Sequence, residues 1–192
     1  MNNLLTYEDF LFEDVRGNKV CIFPGRFQPF HLGHIAALER TSKVFGAKVI
    51  PIQILSKSNK SPIPDSVLIK MGNAVAKEFH FIEKYILYPQ GLITFIPEMV
   101  KLLQEQGYYP IGVGCGSDRQ KDYERQVAKY ILAPDSEIQI PQFEVAMVDE
   151  RTEGGPSGTK VREAIQADDE EKFKDLTPKS IHSFYKELKK YI

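Results

Sequence analysis

Short apolar runs of strand length alternate with longer stretches in which apolar residues return every three or four positions, from residue 19 to the end of the chain. The run KVCIF at 19–23 reads as a buried strand. Residues 32–45 read as the helix after it, with Ile35, Leu38, Val44 and Phe45 turned toward the core and Gly46 as its stop. A second apolar run at 47–55 reads as another strand. Pro51 has no N–H to give to a ladder, so it is expected at an edge or a bulge. Beyond a polar loop at 56–64, the spacing of Val67, Leu68, Met71, Val75 and Ala76 predicts a helix over 65–79, with Asp65 or Ser66 as its N-cap. The stretch to residue 90 has no clear period. A helix over 92–106 with Pro97 near its start and Gly107 as its stop, a strand at 111–115, a helix at 119–130 and a strand at 143–148 follow. Helices at 159–166, 170–176 and 178–191 end the chain. Strands that alternate with helices imply an α/β fold on a parallel sheet.

A length of 192 residues with 42% apolar content fits one domain with one good core. No repeat, low-complexity stretch or linker divides it. Residues 1–17, with Leu4, Leu5, Phe10 and Leu11 among acidic side chains, read as an N-terminal extension, and residues 18–192 as the domain. The formal charge of -1 argues against wide contact with a nucleic-acid backbone. No apolar run approaches the roughly 18 residues that span a bilayer, and the first residues lack a signal-peptide core, so a soluble, cytoplasmic protein without a membrane partner is expected. Cys21 and Cys115 fall inside strand-like runs and read as core thiols. His80 and His182 stand apart from any cysteine, and no metal-ligand cluster is expected. Lys186, Lys189 and Lys190 read as a solvated helix face.

Chemistry concentrates in GRFQPFHLGH at 25–34. The segment follows a strand and opens a helix, the arrangement that places backbone N–H groups and the positive end of the helix dipole against an anion. His31 and His34 lie three residues apart on one face of that helix, so both imidazoles can donate to a single anion. Gly25 and Gly33 let a ligand approach the backbone closely.

His31-Leu32-Gly33-His34 resembles the HxGH signature of the nucleotidylyltransferases of the class I synthetase superfamily, the cytidylyltransferase-like enzymes. The preceding GRFQPF is most similar to the nicotinamide mononucleotide adenylyltransferase branch, and a similar segment occurs in small phage-encoded members. Ser157-Gly158-Thr159-Lys160-Val161-Arg162 resembles the family's second signature. The resemblance implies a Rossmann-like, doubly wound parallel sheet in a single domain with C-terminal helices. It also implies transfer of AMP from ATP to a phosphorylated small molecule, first of all nicotinamide mononucleotide, giving NAD and pyrophosphate, with Mg²⁺ carried by the ATP.

In that reading His31, His34 and Arg162 are catalytic. Gly25, Arg26, Phe27, Gly33, Gly116, Asp118, Ser157, Thr159 and Lys160 bind the nucleotide. Arg162 supplies a planar cation for phosphate oxygens, and Ser157 and Thr159 supply hydroxyls, with Thr159 read alternatively as the plain cap of the helix that follows. The run GCGSDR at 114–119 ends a predicted strand, where ligands bind in such sheets; Asp118 there either orients a ribose hydroxyl or caps the next helix. Lys57 and Lys60 in the loop after the second strand could meet the acceptor's phosphate. Partners are small nucleotides, with a homo-oligomer left open. The alternatives are cytidylyl or adenylyl transfer to another phosphorylated acceptor, and a nucleotide-binding regulatory module without turnover. An RNA-charging fragment is disfavoured, since the chain has no KMSKS-like loop and no room for RNA-binding domains.

Overall fold

The computed structural model describes residues 18–54, 62–88, 95–138, 140–149 and 155–192. Five strands, β1 (Lys19–Gly25), β2 (Lys48–Gln53), β3 (Ile86–Leu87), β4 (Tyr109–Gly116) and β5 (Glu144–Asp149), form one parallel sheet in the order β3-β2-β1-β4-β5. The chain winds outward from β1 to β3, then returns to the other side of β1 for β4 and β5. That reversal puts a crevice at the carboxyl ends of β1 and β4. The doubly wound α/β fold expected from the sequence is the fold observed.

Helices cover both faces. Strand alternation sends Cys21, Phe23 and Val49 to one side, against α1 (Leu32–Phe45), α2 (Asp65–Glu78), α5 (Gly158–Gln166), α6 (Glu170–Leu176) and the C-terminal turns. Val20, Ile22, Ile50, Ile52 and Val113 face the other way, against α3 (Ile96–Glu105) and α4 (Gln120–Tyr130). Helix α1 lies close to the sheet because β4 presents glycines beneath it. A Cβ on Gly112 would stand 2.2 Å from the Phe45 ring, and one on Gly114 would stand 2.3 Å from the Thr41 hydroxyl.

Several elements differ from expectation for physical reasons. Val44 is exposed, because the inward stripe of α1 continues through Thr41, whose hydroxyl bonds the Ala37 carbonyl, and through Phe45. Pro51 lies inside β2, not on an edge strand. Its missing N–H would face β3, between the bonds that Val49 makes with Phe81 and Glu83 and the one that Gln53 makes with Tyr88, where the neighbouring ladder is interrupted. The N-cap of α2 is Pro64, with no side-chain cap; Asp65 instead sits in the first turn, where its charge suits the dipole. Helix α3 begins at Ile96, with Pro97 in its first turn. The last predicted helix is a 3₁₀ helix, Lys179–Phe184, followed by the short α7, Tyr185–Leu188. The main-chain N–H of Ser180 bonds the Glu78 carboxylate and that of Ile181 bonds the Pro178 carbonyl, which tightens this stretch. Cys21 and Cys115 are buried free thiols, pushed up to about 12 and about 11 by burial, and so inert. No helix among the described residues is long and apolar enough to cross a membrane.

Candidate active site

The turn after β1 carries the first signature. His31 is the N-cap of α1, and the two histidines cap each other. The His34 N–H donates to Nδ1 of His31 (3.3 Å), and the His31 N–H donates to Nδ1 of His34 (3.4 Å). A ring nitrogen that accepts carries no proton, so the neutral tautomer of each ring has its proton on Nε2. The rings stack at 3.6 Å between centroids. The reciprocal cap thus aligns two imidazoles whose outer nitrogens are both donors. Burial, reinforced by the nearby Arg162 charge, pushes the His31 imidazole down to about 4, so at neutral pH it donates as an uncharged group.

Helix α5 brings the second signature to the same place. Ser157, not Thr159, is its N-cap, and its hydroxyl accepts from the Lys160 N–H at 3.3 Å. The Arg162 guanidinium donates to the Gln28 carbonyl (2.9 Å) and to the Thr159 hydroxyl (3.3 Å). A Cβ on Gly33 would stand 3.1 Å from the Pro156 carbonyl oxygen, and one on Gly158 would stand 3.5 Å from that of Gln28. Two helix N-termini therefore meet side by side. The positive ends of both helix dipoles add to the donors of the imidazoles and Arg162. Such a cradle can hold a chain of phosphates and stabilise charge that grows on it.

The other expected residues fall around this centre. Gly25 ends β1, where a Cβ would come within 2.7 Å of the Phe27 ring. Arg26 is exposed. Phe27 is wholly buried, with its ring stacked on Phe30 and edge-on to His34, so it supports the histidine pair from below. Gly116 and Asp118 stand at the carboxyl end of β4, across the switch point from the histidines. Asp118 does not cap α4, whose N-cap is Arg119 without a side-chain cap. Lys57 and Lys60 lie outside the described residues.

Three residues near the turn escaped the sequence reading. Gln53 donates to the Arg26 carbonyl of the turn and accepts from the Tyr85 hydroxyl, and the buried Gln28 amide has no partner among the described residues. Gln53 left a trace in the sequence as the one polar residue in the apolar run VIPIQIL. The others left none.

A doubly wound sheet with an anion cradle at its switch point, built from a histidine pair and a serine-capped helix, defines the class of this protein as a phosphate-binding α/β domain. The chain belongs to the cytidylyltransferase-like family, whose model matches residues 22–164. It is 27% identical over 187 residues to the nicotinamide-nucleotide adenylyltransferase of Sulfurisphaera tokodaii, covering 88% of this chain and 91% of that one. It is 28% identical over 182 residues to a probable nicotinate-nucleotide adenylyltransferase of Sulfurimonas denitrificans, covering 88% and 95%. Among solved structures, the fold is similar to that of Plasmodium falciparum nicotinic acid mononucleotide adenylyltransferase complexed with NaAD. There the TM-score is 0.59 and the identity 16%, with 91% of this chain and 98% of that one covered.

Proposed function

We propose that this protein is a nucleotidylyltransferase that moves the adenylyl group of ATP onto the phosphate of a pyridine mononucleotide, nicotinamide mononucleotide first, within a catalytic unit of residues 18–192. The reciprocal cap of His31 and His34 beside Arg162 is the observation that carries this reading. A phosphate oxygen of the acceptor attacks the α-phosphorus of MgATP in line. The bond from that phosphorus to the bridging oxygen breaks, and pyrophosphate leaves with the electron pair. No side chain becomes covalently modified, so catalysis rests on alignment and on charge stabilisation.

The Nε2 protons of His31 and His34 serve the α- and β-phosphate oxygens. Arg162 and Lys160 serve the β- and γ-phosphates, while Ser157, Thr159 and the amides of α5 hold the terminal oxygens. Gly25 and Gly33 stand beside the nucleotide, but the room that their missing Cβ atoms leave is taken by the Phe27 ring and by the His31 ring and Pro156 carbonyl, which corrects the expectation that they admit the ligand. Arg26 reaches the phosphates from the solvent side, and Gly116 with Asp118 lies toward the ribose. Mg²⁺ enters with the ATP as part of the substrate.

The relatives are named for both the nicotinamide and the nicotinate substrate. The GRFQPF start favours the amide form. The test is pyrophosphate release with ATP or CTP against nicotinamide mononucleotide, nicotinate mononucleotide, glycerol 3-phosphate, phosphocholine, phosphopantetheine and riboflavin phosphate. ATP with nicotinamide mononucleotide is expected to give the highest kcat/KM. A win for the nicotinate form would move the acceptor and leave the chemistry. ATP binding without pyrophosphate from any acceptor would establish a regulatory module instead.

A second expectation separates the two halves of the cleft. Arg162→Lys should raise the KM for ATP by on the order of tenfold with little change in that for the acceptor, because a point charge cannot reproduce the planar fork of a guanidinium. Equal rises for both substrates, or a rise for the acceptor alone, would remove Arg162 from the triphosphate.

A further inference from the structure

Gln53 occupies the last position of β2, wholly buried in a strand whose other central residues are apolar. Its amide has both kinds of partner. Nε2 donates to the Arg26 carbonyl (2.7 Å) and to that of Ile54 (3.2 Å), while Oε1 accepts from the Tyr85 hydroxyl (3.3 Å). Tyr85 is itself fixed: its ring fills the space over Gly72 of α2 and meets the edge of Phe30. Phe30 stacks on Phe27, and both rings meet His34 edge-on. One side chain thus ties the main chain of the β1 turn to β2 and, through Tyr85, to the aromatic stack beneath the histidines. Phe27, the residue after the anchored carbonyl, has φ +21°, a value that few side-chain-bearing residues adopt. A turn in such a conformation persists only where its surroundings hold it.

We infer that Gln53 is a positioning residue for the reaction, with Tyr85 as its support: by holding the Arg26 carbonyl it sets where the Arg26 guanidinium stands and keeps the Phe27 ring under His34. This rests on the adenylyl-transfer reading of the cleft. Gln53 touches no substrate and acts through the turn. A residue of this kind changes turnover more than substrate affinity, since both substrates still bind while their alignment loosens.

The test compares Gln53→Met, Gln53→Glu and Tyr85→Phe with the native protein in kcat, KM, Tm and sensitivity to trypsin. Gln53→Met keeps the length of the side chain and loses every hydrogen bond. It is expected to lower kcat by on the order of tenfold with KM for both substrates within about twofold. Tyr85→Phe is expected to fall in between.

Gln53→Glu adds a pH signature. As the neutral acid it can donate to the Arg26 carbonyl and accept from Tyr85, whereas as the anion it sets a negative oxygen against that carbonyl. Among the described residues, the ionisable groups around it are Tyr85, which burial keeps protonated, with Asp65 acting on Tyr85 from beyond, and the exposed Arg26 of the anchored turn. Turnover of this variant is therefore expected to be near native on the acid side and to fall as pH rises through the titration of the buried carboxyl. Native protein and Gln53→Met lack that titration.

Limited trypsin cleavage between Arg26 and Phe27 reads the turn without turnover and is expected to be faster by on the order of tenfold in Gln53→Met at temperatures where both proteins are folded. Native turnover in Gln53→Met, an unaltered cleavage rate, or a loss in Gln53→Glu that follows its Tm at every pH would overturn the positioning role. Absence of pyrophosphate from the native protein would instead overturn the transfer reading, and the cleavage rates would still decide whether Gln53 holds the turn.

Discussion

In His34→Ala, turnover is expected to fall by on the order of a hundredfold, equivalent to about 2.7 kcal/mol of transition-state stabilisation, while Tm moves by only a few degrees. The asymmetry between the two histidines makes this variant informative. His31 is the N-cap of α1, and its removal costs the helix a cap worth about 1 kcal/mol as well as a donor in the site. His34 lies inside the first turn and supplies the reciprocal bond of the cap, so its loss removes one bond at the helix start but leaves the N-cap residue in place. Besides deleting one donor, the substitution removes the Nδ1 that accepts the His31 N–H and the ring on which His31 stacks, so part of the loss comes through His31. Steady-state pyrophosphate release and a thermal melt on the same sample decide the matter. Native turnover would take His34 out of the reaction.

The largest expected effect on stability lies away from the cleft, at Gly72→Ala. An open helical glycine replaced by alanine stabilises a helix by about 1 kcal/mol. Here the added Cβ would stand 2.3, 2.4 and 2.5 Å from three ring carbons of Tyr85, closer than packed atoms come. The ring is buried, its hydroxyl is bonded to Gln53 and its face meets Phe30, so it has little room to yield. Overpacking of this kind costs about 1–3 kcal/mol or more, which exceeds the helix gain. For a chain of this size Tm should drop by on the order of 5 °C, and the urea midpoint should move with it. A variant more stable than the native protein would show that the Tyr85 ring can shift at no cost.

Local features of this protein were readable in its sequence because local physics produces them. The i, i+3 histidines and the glycine at the end of α1 act within a turn or two of their own position, and pattern suffices to place them. The family resemblance supplied the doubly wound parallel arrangement that periodicity alone leaves open, and the strand order came only with the structure. Pro51 was expected at an edge or a bulge, yet it lies inside β2 in continuous register with β1, and the break it needs lies in the neighbouring strand, which no property of residues 47–55 records. The Gln53 anchor, the Tyr85 wedge and the seat of Arg162 on Gln28 are pairings across long stretches of chain, the last across 134 positions. A single polar residue in an apolar run hints at the first. Nothing local hints at the others. The assignment of the helix cap to Thr159 failed for a smaller reason: Gly158 can itself be helical, so Ser157 takes the cap one step earlier.

The seam between α1 and α5 joins the first βα unit to the last third of the chain through Arg162, Gln28, Gly33 and Gly158. Closing a contact between such remote segments carries a high entropic cost, which the pairing of the intervening strands lowers. The cradle for phosphate thus exists only in a finished molecule. A ligand held there draws the population toward completion, by about 2.7 kcal/mol when it is present at a hundred times its dissociation constant. A ligand of this cradle would in this sense select for the completed chain.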